Sequence, residues 1–230
     1  MLGALLALAL RPRRAARAEV GTPWSDIREG WRYARGRPDL LGSYLVDVNA
    51  MVFGMPLALF PALAIDLGGR HTLGFLYAAP AVGSLAASML GGITRVSGRH
   101  GVGLLWAATA WGVAIAVFGM VHNVVLALVL LAIAGGADMV SGLYRMAIWN
   151  QTIPNDLRGR LGGIEMLSYS LGPTLGNVEA GMVAAATSVR TSVVTGGIAC
   201  VVVGGGLAVA LPALRRYRAP ASELSHATSA

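Results

Sequence analysis

DMVSGLYRMAIWNQTIPNDLRGRLGGIE, residues 138–165, decides how the rest of the chain is read. It opens inside an apolar run that nevertheless holds Asp138 and Arg145. It leaves that run through Asn150, Gln151, Pro154, Asn155 and Asp156, a cluster of turn formers. Arg158-Gly159-Arg160 follows, and a second apolar run begins at once, with Glu165 about one turn inside it. Two apolar helices joined by a short, proline-broken, arginine-bearing loop are the pattern of neighbouring membrane spans, with the loop on the cytoplasmic side.

Composition agrees. Charged residues are 13% of the 230-residue chain, against roughly 25% in soluble domains, and hydrophobic residues are 55%. Mean hydropathy is +0.64. The net charge of +7 comes from 18 arginines and no lysine. A nucleic-acid binder gathers its cations on a polar face, whereas these cap apolar runs. That placement excludes nucleic acid as a partner and suits an anionic lipid surface. The single cysteine, Cys200, precludes an intrachain disulfide and any cysteine-based metal site. His71, His100, His122 and His226 are scattered, so neither a metal nor a cofactor is expected. There is no Gly-x-Ser-x-Gly, P-loop or paired-carboxylate motif, and Gly101-Val102-Gly103 is too short for a dinucleotide site. The chain is not expected to be an enzyme.

Residues 1–10 are apolar and stop at Arg11. Such a helix is about 15 Å long, half the hydrocarbon core. Its charges follow the apolar stretch instead of preceding it, unlike a signal peptide. It reads as the end of a truncated transmembrane helix, with an interfacial anchor or an unusual signal sequence as the alternatives. Residues 11–39 form an arginine-rich cytoplasmic loop. Within it, Asp26 and Glu29 make a capping box, and Trp24, Ile27, Trp31 and Ala34 share one face of an amphipathic helix lying on the membrane. A solvated linker helix is the plainer alternative.

Residues 40–213 are expected to form a bundle of six transmembrane helices, an all-α polytopic membrane protein. The spans are placed at 40–65, 72–94, 101–121, 124–149, 161–186 and 191–211, and residues 214–230 form a disordered cytoplasmic tail. With both terminal segments inside, 16 of the 18 arginines fall on the cytoplasmic side, leaving only Arg70 and Arg190 outside. A wrong span count would scramble that alternation. The 31 glycines fit the same setting, because small residues let helix backbones approach closely in lipid. Gly172-Pro173-Thr174-Leu175-Gly176 is one such pattern, serving either static packing or helix movement.

Ionisable groups inside spans are the functional candidates, since a charge at the bilayer centre costs at least ~2.5–3.5 kcal/mol. Asp47 is a candidate functional carboxylate, or one satisfied by a neighbouring arginine or amide. Asp138 and Arg145 stand two turns apart on one helical face, about 10 Å along the axis, and point into one crevice. Arg145 either binds an anionic group of the cargo or snorkels to the interface. Glu165 pairs with Arg158 or Arg160, or serves the site. Asn177 and Glu179 line an exit vestibule, or Glu179 reaches outside water. Trp106, Trp111 and Trp149 read as interfacial anchors.

NQTIPNDLRGRLGGIE resembles the cytoplasmic loop between the fourth and fifth helices of one half of a major facilitator superfamily transporter, on Pro154, Arg158, Gly159 and Arg160. Residues 91–100, GGITRVSGRH, resemble a degenerate form of that superfamily's G-x-x-x-D-R-x-G-R-[KR] loop. Gly91, Gly98 and Arg99 match, while Arg95 and Val96 replace the Asp and the first Arg. DVNAMVFGMPLALFPALA and RLGGIEMLSYSLGPTLGNVEAG resemble the enterobactin-exporter and multidrug-efflux subgroup. The resemblance covers roughly residues 20–215. It implies that the six spans are the C-terminal half of a twelve-helix fold, with residues 11–39 as the loop joining the halves.

The function so implied is proton-coupled export of a siderophore-like or lipophilic small molecule by alternating access, an antiporter of the inner (plasma) membrane. Its partners would be the small-molecule substrate, the lipid bilayer, and a missing or separately encoded N-terminal six-helix half or a second copy in a homodimer. The rival expectation is a truncated, non-transporting membrane remnant or interaction module. Reporter fusions after Asp66 and after Arg99 should report opposite compartments; the same compartment for both would overturn the span map.

Overall fold

The computed structural model describes residues 23–89, 98–155 and 157–219. The apolar segment 1–10, residues 11–22 of the arginine-rich loop, Gly91 with residues 90–97 of its loop motif, Asp156 and the chain beyond 219 lie outside the described residues. Within them the chain is all-helical, with no strand. α1 is Pro23–Gly36, α2 Pro38–Phe53, α3 Phe60–Leu67 and α4 Thr72–Ser88. α5 is His100–Met120, α6 Val124–Thr152, α7 Arg158–Ala186, α8 Val189–Ala210 and α9 Pro212–Arg216.

Among the described residues four helices are long and apolar enough to cross a membrane: Pro38–Leu67, His100–Met120, Val124–Thr152 and Val189–Ala210. The protein is an integral membrane protein. The other two expected spans differ for separate reasons. α4 has 17 described residues, and the remainder of its expected span lies outside them. α7 is long enough at 29 residues but carries Glu165, Ser168, Ser170, Thr174, Asn177 and Glu179 along its length. The first span is broken within itself. Pro56 has no N–H to continue the ladder, so α2 ends at Gly54, whose N–H bonds to the Ala50 carbonyl. A 3-10 turn, Leu57–Leu59, then leads into α3.

Local chemistry explains the turns. Asn123 caps α6, its side chain accepting from the Leu126 N–H at 3.0 Å, and Ser188 caps α8 through the Thr191 N–H at 3.1 Å. Gly98, before α5, has φ +57°, the left-handed region that side chains rarely enter.

The most extensive packing joins α4 to α6, α5 to α8 and α5 to α6. α4 and α6 touch backbone to backbone: a Cβ at Gly83 would strike the Ala132 carbonyl, and one at Gly135 the Pro80 carbonyl. Ser84 donates to the Gly135 carbonyl at 2.9 Å across the same seam. Gly172 and Gly176 likewise bring α7 against Met51 of α2.

Two apolar clusters form. One gathers Phe60, Leu63, Leu76, Trp111, Phe118 and Leu131. The other gathers Leu40, Tyr44, Val46, Leu104, Ile148, Trp149, Leu161 and Leu214. On α2 the second cluster stops at Val46 and partly buried members of the first resume at Ala50, so Asp47 sits at the break.

The terminal elements depart from expectation. α1 does not present one apolar face to lipid: Gly30 and Ala34 are buried, while Trp31 is 47% exposed. A Cβ on Gly30 would stand 3.0 Å from Ile164 of α7, and the Tyr33 hydroxyl donates to the Thr152 carbonyl at 2.8 Å. The side chains of Trp24, Ile27 and Glu29 lie outside the described ones. The tail, expected to be disordered from 214, is ordered through Ala219. Leu214 is fully buried, and Ala219 N–H bonds to the Gly98 carbonyl at 2.8 Å. Two apolar side chains and a proline start gave α9 a docking face that the polar residues around it masked.

Gly135→Leu should therefore destabilise the detergent-solubilised protein by about 1–3 kcal/mol or more through overpacking. Gly181→Ala, where a Cβ meets nothing within 4 Å, should shift stability by under about 0.5 kcal/mol. The midpoint of loss of helical circular dichroism measures both.

Candidate functional site

Lipid penalises a lone charge, so α2 and α6 bring theirs together. Asp47 of α2 and Arg145 of α6 form an ion pair, with side chains only 12% and 8% exposed. The second terminal nitrogen of Arg145 donates to the Tyr169 hydroxyl of α7. That hydroxyl donates in turn to Glu165 Oε1 at 3.0 Å, one turn back along α7. The result is a chain of charge and hydrogen bonds, Asp47–Arg145–Tyr169–Glu165, tying three helices together.

Aromatic rings hold the guanidinium from its flanks. Its carbon lies 5.6 Å from the Trp149 ring centroid and 5.4 Å from that of Tyr169, both cation–π distances. Trp149 is itself fixed, donating to the Ser43 hydroxyl at 3.1 Å and packing on Tyr44 at 4.6 Å. Arg145 is 6% exposed and so does not snorkel to the interface. Its Nε is buried without a partner among the described residues.

This group forms part of the wall of a cavity of about 440 Å³. Asp47, Met51 and Met55 come from α2 and the turn after it, Trp111 from α5, Asp138, Met139, Arg145 and Met146 from α6, and Tyr169 and Pro173 from α7. Asp138 is exposed to the cavity, two turns from Arg145 on the same helix, so both acids and the one cation meet at a single space. An apolar side chamber of about 310 Å³ adjoins it, sharing Met55 and Trp111. The indole N–H of Trp111 is buried without a partner among the described residues. A charged centre in a methionine-lined wall suits a cargo with both polar and apolar surface.

The other candidates lie elsewhere. Asn177 does not line the cavity; its Oδ1 accepts from the Ala58 N–H at 3.0 Å, pinning α7 to the turn after α2. Glu179 is half-buried outside the cavity wall. At the loop, Pro154 and Gly159 are exposed, and Arg158 donates to the Asn150 carbonyl at 3.2 Å, closing the turn. Glu165 bonds Tyr169 in addition to any role at the loop, and Arg160 is half-buried and engaged. Gly98 and Arg99 precede α5 and lie away from the cavity. Among the described residues no group of His, Cys, Asp and Glu is arranged to hold a metal.

Tyr169, Trp149 and Trp111 were missed from the sequence. Tyr169 carries one signal, its i, i+4 spacing from Glu165. Trp111 and Trp149, expected at the interface, are 8% and 6% exposed, and only Trp106, at 70%, stands outward.

No protein-family model matches the chain, and no solved structure does. Among curated proteins it is 27% identical over 197 residues to the enterobactin exporter of Shigella flexneri, a match covering 85% of this chain and 47% of that protein. It is 29% identical over 199 residues to the enterobactin exporter of Citrobacter koseri, covering 86% of this chain and 48% of the other. These relatives are transporters rather than enzymes, and the chain spans about half their length. A helical bundle with a buried charge chain, matched over most of its length at 26–29% identity by enterobactin exporters, is similar to about half of such a major facilitator protein.

Proposed function

We propose that this chain is the C-terminal half of a small-molecule exporter, working with a second six-helix half that closes the cavity from the opposite side. The observation that carries this reading is the charge chain Asp47–Arg145–Tyr169–Glu165, whose first three members stand in the wall of a 440 Å³ cavity. Its cargo would be a siderophore-like or lipophilic molecule, the class that the printed function of the relatives supports. The second half is supplied by the same polypeptide, a separate chain or a second copy.

Coupling to protons follows from the two acids. Ionised Asp138 accepts hydrogen bonds from cargo hydroxyls; a proton on it removes that acceptor. Proton and cargo then exclude one another, which is what exchange across the membrane requires. Asp47 acts differently. It bridges α2 to α6 through Arg145, so its protonation weakens the bridge and favours whichever conformation lacks it. Arg145 stays charged throughout and presents a fixed cation to anionic oxygens. Alternating access then rocks one bundle against the other around this site.

Efflux of a catecholate siderophore or a lipophilic dye from vesicles holding the two-half protein tests the reading. Asp138→Asn should lower the initial rate at least about tenfold and flatten its pH dependence, a loss of about 1.4 kcal/mol of coupling. Full rate and full pH dependence with both Asp138→Asn and Asp47→Asn would overturn the coupling assignment. No efflux of any probe by the intact two-half protein would favour a non-transporting membrane module instead.

The ion pair makes a separate prediction. Asp47→Asn leaves Arg145 buried and unpaired and should destabilise the fold by about 3–5 kcal/mol, seen as a lower thermal midpoint. Asp47→Leu with Arg145→Met should restore the midpoint without restoring efflux.

A further inference from the structure

Four arginines surround a second cavity at the far end of the bundle from α3. It measures about 250 Å³ and is lined by Arg99, Val102, Arg215, Arg216, Tyr217 and Arg218. Among the described residues no carboxylate lines it. The arginines are held there by backbone and core contacts. Leu214, fully buried, fastens α9 to the bundle, and a Cβ at Gly101 would strike the Leu214 carbonyl. Gly101 N–H bonds to the Tyr217 carbonyl at 3.4 Å, Ala219 N–H to the Gly98 carbonyl at 2.8 Å, and the Tyr217 hydroxyl to Gln151 Oε1 at 3.1 Å. The tail is thus fixed over the first turn of α5, whose N-terminal dipole end adds partial positive charge.

The four arginines are exposed to water, which screens their mutual repulsion, and an anion placed among them would meet several guanidinium donors at once. Their height in the bilayer selects the anion. Arg99 directly precedes α5 and Arg215 follows shortly after α8, both apolar helices long enough to span. Trp106, 70% exposed one to two turns into α5, and Val209, 77% exposed at the end of α8, face outward just inside the cluster. An exposed tryptophan next to exposed valines marks the edge of the hydrocarbon, so the arginines stand at headgroup level.

We propose that this pocket binds the phosphate of an anionic membrane lipid, and that the bound lipid holds the C-terminal segment against α5. Arginine forks suit phosphate oxygens through paired N–H donors. The site lies apart from the transport cavity and stands whether or not the chain exports anything.

The test uses the full chain, purified in detergent, stripped of lipid and titrated with phosphatidylglycerol or phosphatidylcholine under native mass spectrometry. Phosphatidylglycerol should bind at least about tenfold more tightly than phosphatidylcholine. Arg215→Gln/Arg216→Gln/Arg218→Gln should lose about tenfold in phosphatidylglycerol affinity, whereas Arg28→Gln/Arg32→Gln/Arg35→Gln, on exposed positions of α1, should lose little. Arg99→Gln, outside the tail, gives a second reading if the triple variant does not fold. Equal binding of the two lipids, or unchanged phosphatidylglycerol binding in Arg99→Gln and in a folded tail variant, overturns the proposal. Displacement of phosphatidylglycerol by an equal concentration of inorganic phosphate would assign the pocket to a free anion and overturn the lipid source.

Discussion

A carboxylate and a guanidinium buried within spanning helices leave the bundle little freedom. Each alone would cost several kcal/mol in hydrocarbon, so α2 and α6 must place Asp47 and Arg145 face to face. That requirement sets the rotation of both helices about their axes and draws Tyr169 of α7 inward as the next partner. It also divides the apolar interior: the cluster around Phe60 and Phe118 and the cluster around Leu40 and Ile148 lie on either side of the charged layer. A buried pair of this kind is weak as a source of stability. What it supplies is a fixed cation, ringed by Trp149 and Tyr169, at the wall of a cavity.

Close backbone approach supplies the cohesion instead. Lipid tails solvate leucine as well as a neighbouring helix does, so little hydrophobic drive remains to press helices together. α4 and α6 compensate by meeting at Gly83 and Gly135, where van der Waals contact and the Ser84 hydrogen bond replace side-chain interlocking. The pattern in 172–176 works the same way. Gly172 and Gly176 seat α7 on Met51, and Pro173, on the turn between them, is left for the cavity wall. The static-packing expectation for these glycines describes the contacts present.

The helices were legible because period and length carry them. α5, α6 and α7 begin and end within three residues of the expected spans. Of the site, Asp47, Asp138 and Arg145 stood out because an ionisable residue in an apolar run has few excuses. Their meeting was not legible, since Asp47 and Arg145 are 98 residues apart and only the fold brings them together. Aromatics misled for a related reason. Trp149 ends an expected span, where an interfacial anchor belongs, and Trp111 stands in the middle of 101–121, yet each is inward-facing, and sequence position alone does not distinguish the faces of a helix that is apolar all round. The docking of 214–219 escaped notice because one buried leucine among arginines is too small a signal to outweigh a polar composition.

α7 carries the remaining inference about what stands opposite this bundle. Its hydroxyls do not demand a partner: Ser170 donates to the Met166 carbonyl and Thr174 to the Ser170 carbonyl, so both are satisfied within the helix and would tolerate lipid. Glu165 and Asp138 are different. One is met by a single tyrosine hydroxyl and the other is exposed to the cavity, and neither arrangement would hold an ionised carboxylate against hydrocarbon. The face formed by α2, α6 and α7 must therefore look onto water or protein. A protein surface enclosing water on that side meets the demand of both carboxylates.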